Sequence, residues 1–442
     1  MLQIDRVSDS PVMPTDVDVV IVGGGIIGTT AAYELARQGV SVALVEKGFI
    51  GAEQSGRNWG WVRQQNRRHD ELVMAMRSLT RWSEIGNEIG RDLGFRRQGS
   101  LYGTTAEADI AKWEKWAVGA KAMGYSFDLL SAAELKSRIP TGTARWVGGL
   151  WSPTDGLAEP SKAAPAIAEG AKGLGAYVLQ TCAARGFDIS AGRIAGVWTE
   201  RGLIRATTVV CAGGAWSSRL LKRHGVELPV ANVVGTAMRT SQVPALPGGT
   251  FNGPGFALRR RLDGGYTLAV PGYGRVELAP QGIRYALKFY QTYRSELTKK
   301  LKIRIGKSFF NGPEASASWA LDDISPFERI RVLEPAIDEE WLAQAVSNLT
   351  TCFPEMKGVR ILQAWAGLID TTPDLVPVIS TVDEIPGLIV ASGFSGHGFG
   401  LGPGAGLLVS EMAQNKTPYA DITPFSLNRF KKGGQLLRPE MM

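Results

Sequence analysis

One short segment constrains this chain more than any other. The apolar run Val17-Asp-Val-Val-Ile-Val22 passes directly into Gly23-Gly-Gly-Ile-Ile-Gly28. A run this rich in β-branched residues reads as a strand buried on both faces of a parallel sheet. A helical pattern follows over residues 29–38 and stops at Gly39, and a second strand over 40–45 runs into Glu46. Together they form one βαβ unit of about 30 residues. Within it, Gly23 permits the tight turn, Gly25 lets backbone approach a pyrophosphate, and Gly28 lets helix and strand pack closely. Ile26 and Ile27 open the helix, where free N–H groups and the helix dipole favour an anion. Glu46 is placed to accept hydrogen bonds from an adenosine ribose, which argues against a 2′-phosphate there. A glycine triplet alone is a weak signal; the strand before it, the helix after it and the acid beyond turn it into a dinucleotide-binding mechanism.

The chain has 442 residues, enough for two intertwined domains with a large core. Further helices are expected over 77–93, 107–123, 161–174, 283–302 and 340–353, the fourth strongly basic. Segments 177–181, 194–199 and 203–212 alternate like a strand meander with a turn at Gly202. Short strands and Gly/Pro turns dominate 229–269, which suits an antiparallel sheet in a different domain. A buried strand over 385–392 leads through a glycine-rich loop to a helix ending near Met412. Glycine-rich segments lie at both ends and in the middle, so the cofactor domain is expected to be discontinuous. The expected fold combines α/β and α+β: a Rossmann-like domain from 15–92, 152–226 and 356–432, and a β-sheet-rich substrate domain from 93–151 and 227–355.

Composition narrows the functional classes. The formal charge of +7 fits a surface with a modest Lys/Arg excess. The basic residues gather between Arg284 and Lys307 without the interleaved aromatics of a nucleic-acid reader, so no nucleic-acid partner is expected. That run leaves an anionic membrane surface open as a contact. Cys182, Cys211 and Cys352 are scattered, and His69, His224 and His397 lack ligand spacing, so neither a disulfide framework nor a metal site is expected. No apolar leader and no transmembrane segment are read, and the expected compartment is the cytoplasm. A homo-oligomer remains open.

FAD rather than NAD is argued by two other segments. Val209-Val-Cys-Ala-Gly-Gly-Ala-Trp216 is a strand running into a small-residue turn through Ala212 and Gly213 to Trp216. Gly393-Phe-Ser-Gly-His-Gly398 is a strand end almost free of side-chain bulk. Its N–H groups, around Ser395, Gly396 and His397, are suited to face a flavin carbonyl where negative charge builds on reduction.

These motifs, with Ser55-Gly56-Arg57-Asn58 and Trp365-x-Gly367-x4-Thr372-Pro373-Asp374, resemble the D-amino-acid-oxidase-like superfamily of flavoproteins. The stretches Val45-Glu-Lys-Gly-Phe-Ile-Gly-Ala-Glu-Gln-Ser55, Cys182-Ala-Ala-Arg-Gly186, Asp263-Gly-Gly-Tyr266, Ser325-Pro-Phe-Glu328 and Pro424-Phe-Ser-Leu-Asn-Arg-Phe430 are similar to the bacterial L-amino acid deaminase and oxidase family. The resemblance implies FAD contacts at Lys47, Gln54, Ser55, Gly56, Arg57, Asn58 and Ala183 as well as at the glycine segments. It implies oxidative deamination of neutral L-amino acids. Where membrane-bound members carry an apolar anchor, this chain begins with polar residues. Where they carry a substrate-facing Gln, it has Trp61, with Gln64 one turn on. Gly367 stands near the position of a flavin-linking Cys in sarcosine-oxidase-like relatives, so noncovalent FAD is expected.

The reaction asks for positioning more than for acid–base machinery. A Cα–H bond must be held over the flavin at near-attack distance, and a cation must hold the carboxylate. Arg suits this because its fork makes two parallel hydrogen bonds. Arg259 is the first candidate, since it aligns with the family's carboxylate-binding Arg; Arg63 is the second. Trp61 and Trp365 are candidate pocket walls. His397 is read as packing against flavin rather than as a base. The expected activity is oxidation of large neutral or aromatic L-amino acids to 2-oxo acid and ammonia, with dioxygen reduced to hydrogen peroxide. The alternatives are a D-amino acid or secondary-amine dehydrogenase, and a flavin subunit of a hetero-oligomer.

Overall fold

The computed structural model describes residues 2–294, 301–316 and 318–437. Val19–Val22 lies at the centre of a six-stranded sheet, paired in parallel with Val42–Val45 on one side and Thr208–Cys211 on the other. Tyr177–Leu179 extends one edge in parallel; Leu388–Ser392 extends the other, followed by antiparallel Val378–Thr381. Every residue of Val19–Val22 and of Val42–Val45 is buried, because helices and a second layer cover the two faces.

One face carries the helices Ile26–Ala36, Pro160–Gly173, His69–Glu88 and Gly398–Ala413. The last is glycine-rich for a packing reason. A Cβ on Gly402 would fall 2.6 Å from Ile26, one on Gly406 2.5 Å from Thr30, and one on Gly404 2.6 Å from the Met74 carbonyl. The other face is covered by the antiparallel meander Ala184–Ser190, Arg193–Thr199 and Gly202–Arg205.

A second, larger sheet is built largely from antiparallel pairs. Its spatial order runs Leu301–Ile305, Gly274–Leu278, Ala231–Thr240, Tyr266–Ala269, Phe256–Arg260, Thr250–Gly253, Ser100–Thr104, Gly148–Ser152 and Asp128–Ser131. The long strand Ile361–Thr371 pairs with Ala231–Thr240 and joins this sheet to the cofactor side of the molecule. Helix Glu339–Cys352 packs its Trp341, Leu342, Ala345 and Leu349 into the core beneath it.

Some sequence expectations change. The basic segment expected as one helix over 283–302 is instead the short helices Pro280–Tyr285 and Tyr290–Arg294 and the strand Leu301–Ile305; residues 295–300 lie outside the described part. Leu301, Ile303 and Ile305 alternate with Lys302 and Arg304, which is a strand period, and the segment adds in parallel to Gly274–Leu278. The helix expected over 77–93 spans His69–Glu88, and the strand expected over 203–212 is two strands in different sheets. Among the described residues no helix is long and apolar enough to cross a membrane.

Candidate active site

A cleft of about 1220 Å³ opens at the C-terminal ends of the central parallel strands. Such a position outside the strand ends is where an open α/β sheet holds its ligand. Gly23, Gly25, Ile26, Ile27, Glu46, Lys47, Gln54, Ser55, Asn58, Ala212, Gly213, Trp216, Gly396 and Gly398 all line it. The first turn is set by sterics: Gly23 has φ +113°, and a Cβ there would lie 2.4 Å from the Ala212 carbonyl oxygen. Gly28 faces the strand rather than the cleft, with only 2.0 Å between a Cβ and the Gly23 oxygen.

Glu46, expected on the adenosine side, stands at the cleft. Glu46 accepts the Gly24 N–H and the Gly48 N–H, both at 2.7 Å, and burial pushes its carboxyl up from the ordinary range. Lys47 is tied to Glu53 at 2.6 Å and lies 4.4 Å over the Trp216 ring, whose Nε1–H also donates to Glu53. Ser55 Oγ accepts the Ile26 N–H at 2.9 Å and so marks the helix N-terminus.

Other expected contacts brace the lining from behind. Arg57 is buried, donating to the Ala52 and Ala366 carbonyls, each at 3.0 Å, and reaching Glu334 at 3.4 Å. Gly56 packs on the Gly51 carbonyl, and a Cβ on Gly367 would fall 2.4 Å from Gln54 Oε1. The Ala183 N–H donates to Glu200, and Ala184 lines the cleft in its stead. Trp365 donates from Nε1 to the Arg57 carbonyl at 2.8 Å and packs with Ala237 and Ala269. Ser395 sits inside its turn, where its Oγ accepts the Thr372 N–H at 3.1 Å.

These walls suit FAD. Gln54 lines the cleft, and its Oε1, turned toward Gly367, finds no hydrogen-bond partner among the described residues. A Cβ on Gly25 would meet only Ser55, and one on Gly214 would meet nothing, so main chain is open to a ligand at both turns.

The loop after strand Trp61–Val62 lies against the far side of the same wall. A Cβ on Gly400 would be 3.1 Å from the Trp61 carbonyl oxygen and 3.6 Å from the Arg63 nitrogen. The Arg63 guanidinium sits 6.0 Å from the Trp61 ring and 5.8 Å from the Tyr102 ring, and donates to the Gln65 carbonyl. Gln64 does not point free: its amide and backbone N–H both donate to buried Asp155. Arg67, not singled out from sequence, is 3% exposed, and its Nε and Nη1 find no hydrogen-bond partner. Burial, aided by the Arg63 charge, pushes it down to about 9. His397 turns from the cleft toward Glu71, with Nδ1 3.1 Å from Oε1; burial lowers its basicity, and nearby Arg67 adds to that.

Arg259 is placed differently from expectation. It has no exposed surface, forms an ion pair with Glu159 at 2.8 Å, and donates to Thr267 at 3.0 Å. Like Arg63 and Arg67, it is absent from the lining of the cleft.

The model of the DAO family, described as FAD dependent oxidoreductase, matches residues 18–412. The chain belongs to this family. Among solved structures it is similar to the L-amino acid deaminase of Proteus myxofaciens in complex with anthranilate, at 31% identity and a TM-score of 0.91, covering 98% of this chain and 97% of that one. Among curated relatives it is similar to sarcosine oxidase subunit beta of Arthrobacter sp, 27% identical over 94% of this chain and 91% of the relative. It is also similar to glycine oxidase of Geobacillus kaustophilus, 27% identical over 93% and 97%.

In this FAD-dependent oxidoreductase the cofactor is FAD. Sequence reasoning missed Glu53, Phe327, Leu368, Asp370, Phe394 and Phe399 on the walls of the cleft. Phe327 was within reach: Ser325 and Glu328 form a capping box that presents it. Asp370 carried no signal of its own. Burial pushes its carboxyl up to about 6, and its Oδ2 accepts the Gly393 N–H at 2.6 Å.

Proposed function

We propose that this enzyme oxidises the Cα–N bond of L-amino acids, giving an imine that water converts to 2-oxo acid and ammonia. The observation that carries the reading is the Arg63–Arg67 loop packed on the first turn of the Gly398–Ala413 helix, with Trp61 and Tyr102 beside it. A carboxylate needs a cation, and here two guanidinium groups lie beside the flavin-facing turn. Bound FAD supplies the acceptor for the two electrons and the hydrogen that leave Cα. The chain's part is to hold the carboxylate at Arg63, to exclude water with the Trp61 and Tyr102 rings, and to keep the 393–398 turn fixed. Excluding water strengthens each of these charge contacts.

Arg63 therefore takes precedence over Arg259 as the carboxylate clamp. Removing Arg259 from Glu159 to serve a substrate would leave a buried carboxylate unpaired, which costs about 3–5 kcal/mol. The aromatic walls favour large neutral or aromatic side chains, and the similar deaminase was solved with an aromatic amine carboxylate. The cofactor domain is drawn from 15–92, 152–226 and 356–432, and the substrate domain from 93–151 and 227–355. Dioxygen is the acceptor, forming hydrogen peroxide.

A second reading is oxidation of a secondary amine, which the names of the sarcosine-oxidising relatives favour. Product analysis separates the two. With phenylalanine and oxygen, 2-oxo acid, ammonia and peroxide should appear in equal amounts. Formaldehyde from sarcosine, with no turnover of phenylalanine, would select the second reading.

A further inference from the structure

Asp370 stands on the wall of the FAD cleft near the end of strand Ile361–Thr371. It holds the flavin-facing turn at two points. Its Oδ2 accepts the Gly393 N–H at 2.6 Å, and its main-chain carbonyl accepts the Ser395 N–H at 3.0 Å. Between and just after those points the chain takes left-handed conformations, with φ +75° at Gly393, +50° at Ser395 and +87° at Gly396. Asp370 thus pins both ends of a turn whose one non-glycine left-handed residue is Ser395.

What sets Asp370 apart is that, among the described residues, the groups that favour its charged form are main-chain N–H groups, at Gly393, Phe394 and its own residue, and no counter-ion. Asp374, four residues on, is gripped by Arg429 at 2.8 and 3.2 Å. The elements packed on Asp370 present uncharged side chains: Asn232 across the strand pair, Phe394 and Ser395 on the turn, and Leu368 and Ser392 on the cleft wall. The titratable group reached through Asn232 is Glu314, which accepts the Asn232 N–H at 3.0 Å. An uncompensated carboxylate on a cofactor wall responds strongly to charge arriving in that cofactor, because a like charge in a dry site raises its pKa.

We propose that Asp370 is a redox-linked proton site, which takes a proton from solvent when the bound FAD is reduced and gives it up on reoxidation. The balance closes. Reduction moves two electrons and one hydrogen nucleus from substrate Cα to FAD, leaving the reduced cofactor with one negative charge. The Asp370 carboxylate then binds one proton from water and becomes neutral. Dioxygen needs two electrons and two protons to become hydrogen peroxide. The reduced cofactor supplies the electrons and one proton, and the Asp370 carboxyl supplies the second. Burial already holds this carboxyl at about 6 before any charge arrives, so little further shift brings it into the physiological range.

The test needs no substrate, so it stands apart from the choice of amino acid. The holoenzyme is photoreduced anaerobically in unbuffered solution with an indicator dye, and its midpoint potential is followed from about pH 7 to about pH 9. The wild type should take up close to two protons per electron pair near pH 7, and fewer as the pH rises toward about 9. Asp370→Asn keeps an acceptor for the Gly393 N–H but cannot titrate, and should take up one. Glu314→Gln, which removes a buried carboxylate off the cleft, should match the wild type. One proton per pair in the wild type at about pH 7, or two in Asp370→Asn, would overturn the proposal. If Asp370→Asn fails to hold FAD, the wild-type proton count alone decides.

Discussion

Arg259 and Glu159 form an ion pair 2.8 Å long, with the Arg259 side chain fully buried and that of Glu159 5% exposed. Burial alone would raise the Glu159 carboxyl, but the Arg259 charge, with Arg261 further off, outweighs it and holds the group below its ordinary range. The pair ties the cofactor-side helix Pro160–Gly173, which follows directly on Glu159, to strand Phe256–Arg260 of the larger sheet. A structural role is expected of it. Glu159→Gln should lower stability by about 3–5 kcal/mol, since it leaves a buried guanidinium unpaired. Denaturant unfolding of the holoenzyme measures this. A loss below about 1 kcal/mol, the range of exposed pairs, would contradict the assignment.

Arg63→Lys keeps the charge and loses the planar fork. Losing one charge-assisted hydrogen bond costs about 1.5–3 kcal/mol, so kcat/KM should fall at least about tenfold. FAD content and unfolding midpoint should stay as in the wild type, because a lysine can keep both the donation to the Gln65 carbonyl and the approach to the Trp61 and Tyr102 rings. Steady-state kinetics beside a flavin spectrum checks both.

Gly367 offers no atom that can bond to a flavin, and its Cα faces Gln54 and Arg57 at close range. FAD should therefore leave the protein completely on acid precipitation. Yellow colour retained in the pellet would show a covalent link elsewhere.

Glu314 sets a pH dependence of stability with a definite sign. Burial pushes its carboxyl from 4.5 up to about 8 in the folded chain. Between those values the native state keeps a proton that the unfolded state has released, so stability falls as pH rises. Glu314→Gln should match the wild type near pH 5 and become progressively more stable than it up to about pH 8. Parallel unfolding midpoints across that range would remove Glu314 from the account.

The parts of the fold legible in the sequence are those fixed locally. Val19–Val22 pairs with Val42–Val45, Gly28 packs on the Gly23 oxygen and Glu46 accepts the Gly24 N–H, all within one βαβ unit, whereas Gly23 and Gly25 meet Ala212 and Ser55 from outside it. Strand Leu301–Ile305 was illegible because its charges hid a two-residue period that only the partner strand Gly274–Leu278 makes meaningful. Asp370 was illegible because its role arises from contacts with a turn 23 residues later. Arg259 read as a ligand-facing cation because it aligns with the carboxylate-binding Arg of the family the sequence resembles. Its actual partner, Glu159, stands at the start of the Pro160–Gly173 helix, about a hundred residues earlier in the chain.

The central claim is that an L-amino acid is the reductant of this FAD. Its most direct measurement is anaerobic loss of the yellow flavin absorbance on adding single compounds in turn: L-phenylalanine, D-phenylalanine and sarcosine. The account predicts rapid bleaching by L-phenylalanine, with the 2-oxo acid formed in proportion to flavin, and no comparable bleaching by the other two. Bleaching by sarcosine or by the D-isomer, with L-phenylalanine inert, would contradict it.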